Sequence, residues 1–203
     1  MKGALLAILV AAIATTAVGE SARPDRRLDA RFAQALIQAA VVQTSTPVTY
    51  DGSYRRIPYP GGDVPASIGV CTDLIVRAYR AVGVDFQVRV HEDMKAAFGS
   101  YPQLWGLSRA DSNIDHRRVP NLQTYFRRRG AQLSTSRDAG DYLPGDLVTW
   151  ILPGNLPHIG LVTDQRSTDG ARWLVVHNIG RGPEIEDMLF DYPISGHYRY
   201  RGD

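Results

Sequence analysis

Cysteine is nearly absent from this 203-residue chain: Cys71 stands alone. A lone cysteine excludes an internal disulfide and leaves a thiol with no cross-linking role within the chain. An excess of one charge is lacking too. The formal net charge is +2, too little to argue for nucleic-acid binding. The apolar stretch Leu5 to Ile13 falls well short of the ~20 residues that span a bilayer. There is no His-Glu-x-x-His and no close His/Cys pair, so the pattern argues against a metal site. Internal repeats and low-complexity segments are also missing.

What is present begins with an N-terminus that reads as a secretory signal over residues 1–19. Lys2 supplies the positive region, Leu5 to Ile13 the apolar core, and Ala17-Val18-Gly19 a small-x-small cleavage site. The competing reading is a segment that stays attached as an anchor. Cleavage would leave residues 20–203 as one domain, exported to the periplasm or secreted, with no membrane span. At 44% hydrophobic and 22% charged, that domain has an ordinary globular composition and enough length for a core.

The periodicity predicts an amphipathic helix over residues 24–44, with Leu28, Phe32, Leu36, Ala40 and Val41 on one face. Residues 44–65 read as irregular, holding four of the twelve prolines. A helix opens at Cys71 and stops at Gly83, and Asp85 is placed to cap another through Ala97. Residues 108–118 read as a polar loop. A short helix runs from Pro120 to Arg129, with arginines in its last turn and Gly130 beyond. The period then becomes strand-like: 146–152, 158–164, a turn at 167–170, 173–177, and a fourth strand near 197–200. Helices first and strands later predict an α+β fold, N-terminal helices packed on a small antiparallel sheet.

Cys71 heads its helix, where free N–H groups and the dipole favour a thiolate. A thiol nucleophile needs a base, and the base needs a third group to orient it. Five histidines are available: His91, His116, His158, His177 and His197. His158 begins one predicted strand and His177 ends the next, so a hairpin brings both to one end of the sheet. The bland alternatives are a buried structural cysteine, a surface His158 and a hydrogen-bonded core His177. Asp115, His116, Arg117 and Arg118 form a rival site. The arginines suit a substrate carboxylate, Asp115 a substrate contact, and His116 a competing base; the alternative is a loop bracing the next helix. The acidic run Pro183-Glu184-Ile185-Glu186-Asp187 reads as a solvated loop, or as a contact for a cationic substrate group.

These residues resemble the NlpC-type cell-wall peptidases, compact papain-like cysteine hydrolases. Within or beside them the chain is most similar to the domain-of-unknown-function family 1287 (DUF1287). The matching features are Cys71 opening a helix, Tyr59 twelve residues before it, Gly145-Asp146-Leu147-Val148, His158-Ile159-Gly160, and polar His177 ending the next strand. The resemblance spans about residues 48–200. It implies a papain-like NlpC-type fold, Cys71 as nucleophile, His158 as base and His177 as the group orienting that base. Tyr59, with the Cys71 N–H, would be the oxyanion support. The familiar Asp-Cys-Ser-Gly is Val70-Cys71-Thr72-Asp73 here, and an Asp73 aimed at Cys71 would oppose a thiolate.

The resemblance further implies an exported cysteine hydrolase that cleaves an amide in a peptide-like cell-wall substrate. A peptidoglycan stem peptide is the expected class, with no cofactor required. Two alternatives stand beside it: a non-catalytic envelope module binding peptidoglycan or peptide in the same cleft, and an acyltransferase on the same scaffold.

Overall fold

The structure is a computed structural model that describes residues 28–202. The expected signal segment and the start of the predicted first helix lie outside those residues. The elements run in order α1 Ala30–Val41, β1 Thr49–Tyr50, β2 Ile68–Gly69, α2 Cys71–Ala81, α3 Phe86–Ala97, α4 Val119–Arg128, β3 Gln132–Leu133, β4 Leu147–Leu152, β5 Leu156–Arg166, β6 Trp173–His177, β7 Glu184–Glu186 and β8 Ile194–Tyr198. No helix among the described residues is long and apolar enough to cross a membrane.

Local chemistry sets the helix boundaries. Asp29 caps α1 by accepting from the N–H groups of Arg31 and Phe32, and Asp85 caps α3 through Gln87 N–H. Helix α2 ends where Gly83 takes φ 85°, the left-handed conformation a residue just past a helix end favours. Helix α4 has Pro120 in its first turn and Arg127 and Arg128 in its last. Its bounds sit within a residue of the sequence expectation.

Strands β3 to β8 form one antiparallel sheet in the order β3-β8-β4-β5-β6-β7. The alternation of side chains along each strand gives the sheet two covered faces. Leu147, Ile159, Leu161, Val176 and Tyr198 pack with the helices, around Leu36, Leu74, Ile75, Tyr79 and Phe126. Val148, Trp150, Val162 and Val175 face the other way, under Tyr142, Met188 and Leu189. Trp150 meets the rule that a buried indole N–H finds an acceptor, donating to Leu189 O at 3.0 Å. The fold is therefore α+β, with the helices on one face of an antiparallel sheet.

Three expectations change. The fourth strand lies at 194–198 and sits between β3 and β4. Residues 184–186, expected as a solvated loop, form edge strand β7 paired to β6; Glu-Ile-Glu has the period of a strand and turns Ile185 against the helix-side core. Residues 44–65 contain β1, which pairs in parallel with β2 and sets Tyr50 opposite Gly69, two positions before Cys71.

Candidate functional site

Cys71 is the first residue of α2 and is 3% exposed. Its thiol sits at a break in the sheet. Val162 N–H donates to Asp146 and Val162 O accepts from Gly145, so even-numbered residues of β5 turn their backbone groups toward β4. Odd-numbered ones face β6. Registered pairing with β6 ends at Gly160–His177, which leaves Ile159 N–H beyond the ladder. That N–H lies close enough to the Cys71 sulfur to favour its thiolate. The thiol thus sits beside the backbone of the residue that follows His158.

His158 and His177 lie on neighbouring strands, both buried. Nε2 of His158 and Nδ1 of His177 are 3.0 Å apart, with the rings edge to face. The hairpin expectation for this pair holds. His177 Nε2 continues to Glu186 Oε2 at 3.0 Å, and Arg181 holds Glu186 Oε1 at 3.0 Å. Nδ1 of His158 carries no protein hydrogen bond, and none joins His158 to Cys71 at rest. Gly160 permits the close strand approach: a Cβ there would lie 2.6 Å from Val175 Cγ1 and 3.1 Å from His177 Cβ.

Electrostatics reverse one expectation. The helix start favours a thiolate, but burial wins and pushes the Cys71 thiol up to about 11, against the Ile159 N–H and the Tyr50 hydroxyl. Burial, then His177, takes the His158 imidazole down to about 3. Burial also lowers His177, against Glu186. The resting pair is neutral thiol and neutral imidazole.

Asp73 does not aim at the thiol. It accepts Val70 N–H at 2.7 Å and takes the Arg117 guanidinium at 2.8 and 2.9 Å. Arg117 also reaches the carbonyls of Asp51 and Ser53. Thr72 Oγ1 donates to Arg117 O at 2.8 Å. Together these bonds clamp the loop around residue 52 and the 115–117 turn onto the start of α2.

The rival site therefore divides. Asp115 is buried, accepts Asp111 N–H and pairs with Arg118; burial raises its carboxyl. His116 is buried, its Nδ1 has no partner, and burial takes it down to about 4. Neither lines the groove that holds Cys71. Arg117 makes the clamp and also lines the groove at Cys71. Arg118 lines a groove of about 460 Å³ shared with Tyr50, Tyr54, Cys71, Trp105 and Pro157, its guanidinium 4.0 Å over the Trp105 ring.

Tyr59 is also placed elsewhere. It is 42% exposed, donates to Glu92 at 2.8 Å and packs edge-on to His91. The hydroxyl at the thiol belongs to Tyr50, 4.0 Å from Cys71 Sγ. The twelve-residue spacing from the cysteine leads to a hydroxyl that lies away from the thiol, because the β1–β2 pairing that carries Tyr50 in is non-local. Of the other histidines, His197 is braced between Asp146 and Ser134 O. His177, Glu184 and Glu186 bring potential ligand atoms within 4.8 Å of one another, but Arg181 already pairs with both carboxylates.

The family model described as "Domain of unknown function (DUF1287)" matches residues 37–200. "Uncharacterized protein YijF" of Escherichia coli (strain K12) is 50% identical over 166 residues, 82% of this chain and 80% of that protein.

Proposed function

This chain belongs to the DUF1287 family, and from that premise we propose that it is an exported thiol hydrolase of the papain-like NlpC type. It cleaves an amide in a peptide-like cell-wall substrate, with a peptidoglycan stem peptide as the expected class. The observation that carries the reading is the hydrogen-bonded His158–His177 pair, whose strand adjoins the Cys71 sulfur at the start of α2.

In this mechanism a substrate entering the groove brings its carbonyl carbon to Cys71. The thiol proton passes to His158 Nδ1 as sulfur attacks, forming the C–S bond and a tetrahedral oxyanion. The Tyr50 hydroxyl and the Cys71 N–H, which lies ahead of the helix ladder, donate to that oxyanion. Collapse breaks the C–N bond while His158 returns its proton to the leaving amine. Water, deprotonated by His158, then attacks the thioester and restores the thiol. The neutral resting pair suits this order, since the proton moves only when substrate is present. Arg118, stacked on Trp105 beside the thiol, offers a fork for a substrate carboxylate.

One observation favours a second reading, a non-catalytic module that binds peptidoglycan or peptide in the same groove: the thiol is 3% exposed and not hydrogen-bonded to His158. Release of new amines and carboxylates from purified peptidoglycan separates the two. Hydrolysis predicts release by the natural protein and none by Cys71→Ala or His158→Ala. Turnover by Cys71→Ala equal to that of the natural protein would sink the mechanism. Saturable binding retained by Cys71→Ala, with no release by any form, would establish the module. An acyltransferase would give a product with the acyl group on an added amine or hydroxyl.

A further inference from the structure

The hydrogen-bond chain behind the thiol has a direction, and Glu186 sets it. An ionised carboxylate only accepts hydrogen bonds. Glu186 Oε2 stands 3.0 Å from His177 Nε2, so that nitrogen carries the proton. A neutral imidazole has one N–H, and His177 Nδ1 is then a bare acceptor. Its partner at 3.0 Å is His158 Nε2, which must donate. His158 Nδ1 is left with its lone pair free, the form in which a base takes a proton. Reversing the chain would put a proton on His158 Nδ1 and remove that lone pair.

We propose that Glu186 is a positioning residue that fixes both imidazoles as Nε2–H tautomers and so keeps Nδ1 of His158 basic. The assignment of a purpose to that lone pair rests on the hydrolase reading; the tautomers themselves do not. The carboxylate is built into its task. Strand β7 pairs with β6 in the register Val175–Glu186 and His177–Glu184, which places Glu186 diagonal to His177 on the same face of the sheet. Arg181 holds the other oxygen, Oε1, at 3.0 Å, so Oε2 is presented to the ring. Arg181 also binds Glu184 at 3.1 Å, which keeps the second carboxylate from competing for His177. Asp187 turns away to Arg172, at 2.6 and 2.7 Å.

The test reads the tautomers directly. The full-length protein is labelled with ring-¹⁵N histidine, and long-range ¹H–¹⁵N correlations assign each ring nitrogen at neutral pH. The expected result is a protonated Nε2 and a bare Nδ1 for both His158 and His177. In Glu186→Leu, His158 Nδ1 should shift toward the protonated range, while Asp187→Asn, whose side chain turns away to Arg172, leaves the pattern of the natural protein. Turnover, where present, should fall on the order of 10–100-fold in Glu186→Leu, the usual cost of losing a carboxylate behind a functional histidine. Glu186 is 37% exposed in its side chain, so the substitution is compatible with folding; Glu186→Ala, which also removes the acceptor, is the second variant should Glu186→Leu not fold. A protonated Nδ1 on His158 in the natural protein, or tautomers unmoved by loss of Glu186, overturns the proposal. The expected tautomers in a protein without hydrolytic turnover would instead overturn only the hydrolase reading.

Discussion

Arg117 grips the Asp73 carboxylate through Nε and Nη2, at 2.8 and 2.9 Å, with both side chains 2–3% exposed. The pair sits two residues from the thiol and ties three chain segments together. Removing one partner strands a buried charge, which costs about 3–5 kcal/mol. Arg117→Ala should therefore lower the unfolding free energy in urea by that amount. Arg118→Ala, which leaves the clamp intact but takes the ion-pair partner from buried Asp115, should cost less than Arg117→Ala, because burial already raises the Asp115 carboxyl, and should raise KM for an anionic substrate. Equal stability loss in both would show that the clamp does not carry the site.

Tyrosine substitutions separate the two candidate hydroxyls. Tyr50→Phe removes the group 4.0 Å from Sγ and should reduce kcat by roughly 10²–10³-fold, the range for one lost oxyanion donor. Tyr59→Phe removes only an exposed bond to Glu92 and should leave kcat unchanged. The opposite ranking would restore Tyr59 to the role the resemblance implied.

Gly160→Ala tests the strand approach that seats His177. The added methyl meets Val175 Cγ1 at 2.6 Å and His177 Cβ at 3.1 Å. Overpacking of this kind costs about 1–3 kcal/mol. Thermal unfolding should shift down, and kcat should fall further than stability loss explains, because β6 carries the histidine. A neutral effect on both would mean that β6 relaxes without disturbing the pair.

Thiol titration provides a sign test. With the Cys71 thiol pushed up to about 11, iodoacetamide alkylation of the free protein should keep accelerating through pH 9. A plateau at neutral pH would indicate a preformed thiolate–imidazolium pair and contradict the neutral resting state.

Acid should destabilise the fold through its buried imidazoles. His116 and His158 are held down to about 4 and about 3, while the unfolded chain protonates near 6.5. The unfolded state thus binds protons first. Stability is full above about pH 6.5 and falls as pH drops toward the folded values, by up to about 2 kcal/mol per histidine at pH 5. Urea unfolding at pH 7 and 5 should show the loss, and His116→Gln should shrink it. An identical pH slope in that variant would refute the assignment.

Much of this molecule was decided locally. The caps Asp29 and Asp85, the stop at Gly83, Pro120 in the first turn of α4, and the period-two runs of β4, β5 and β6 all act within a few residues. The helix-opening cysteine and the two histidines were legible for the same reason, since hairpin geometry follows from adjacent strands. Strand β7 left a weaker trace, the Glu-Ile-Glu alternation, which three residues make easy to read as a solvated loop.

Tertiary structure alone decided the rest, because it turns on contacts between segments distant in sequence. The β1–β2 pairing delivers Tyr50 and not Tyr59 to the sulfur. The buried pair with Asp73 makes Arg117 a clamp between distant segments. Cys71 sits beside the end of the β5–β6 ladder, and the depth of that position overrides the helix dipole at the thiol. Sequence alone determined which side chains stand near each strand and helix end; the desolvation and long-range pairing that set their charge and partners arise only in the packed fold.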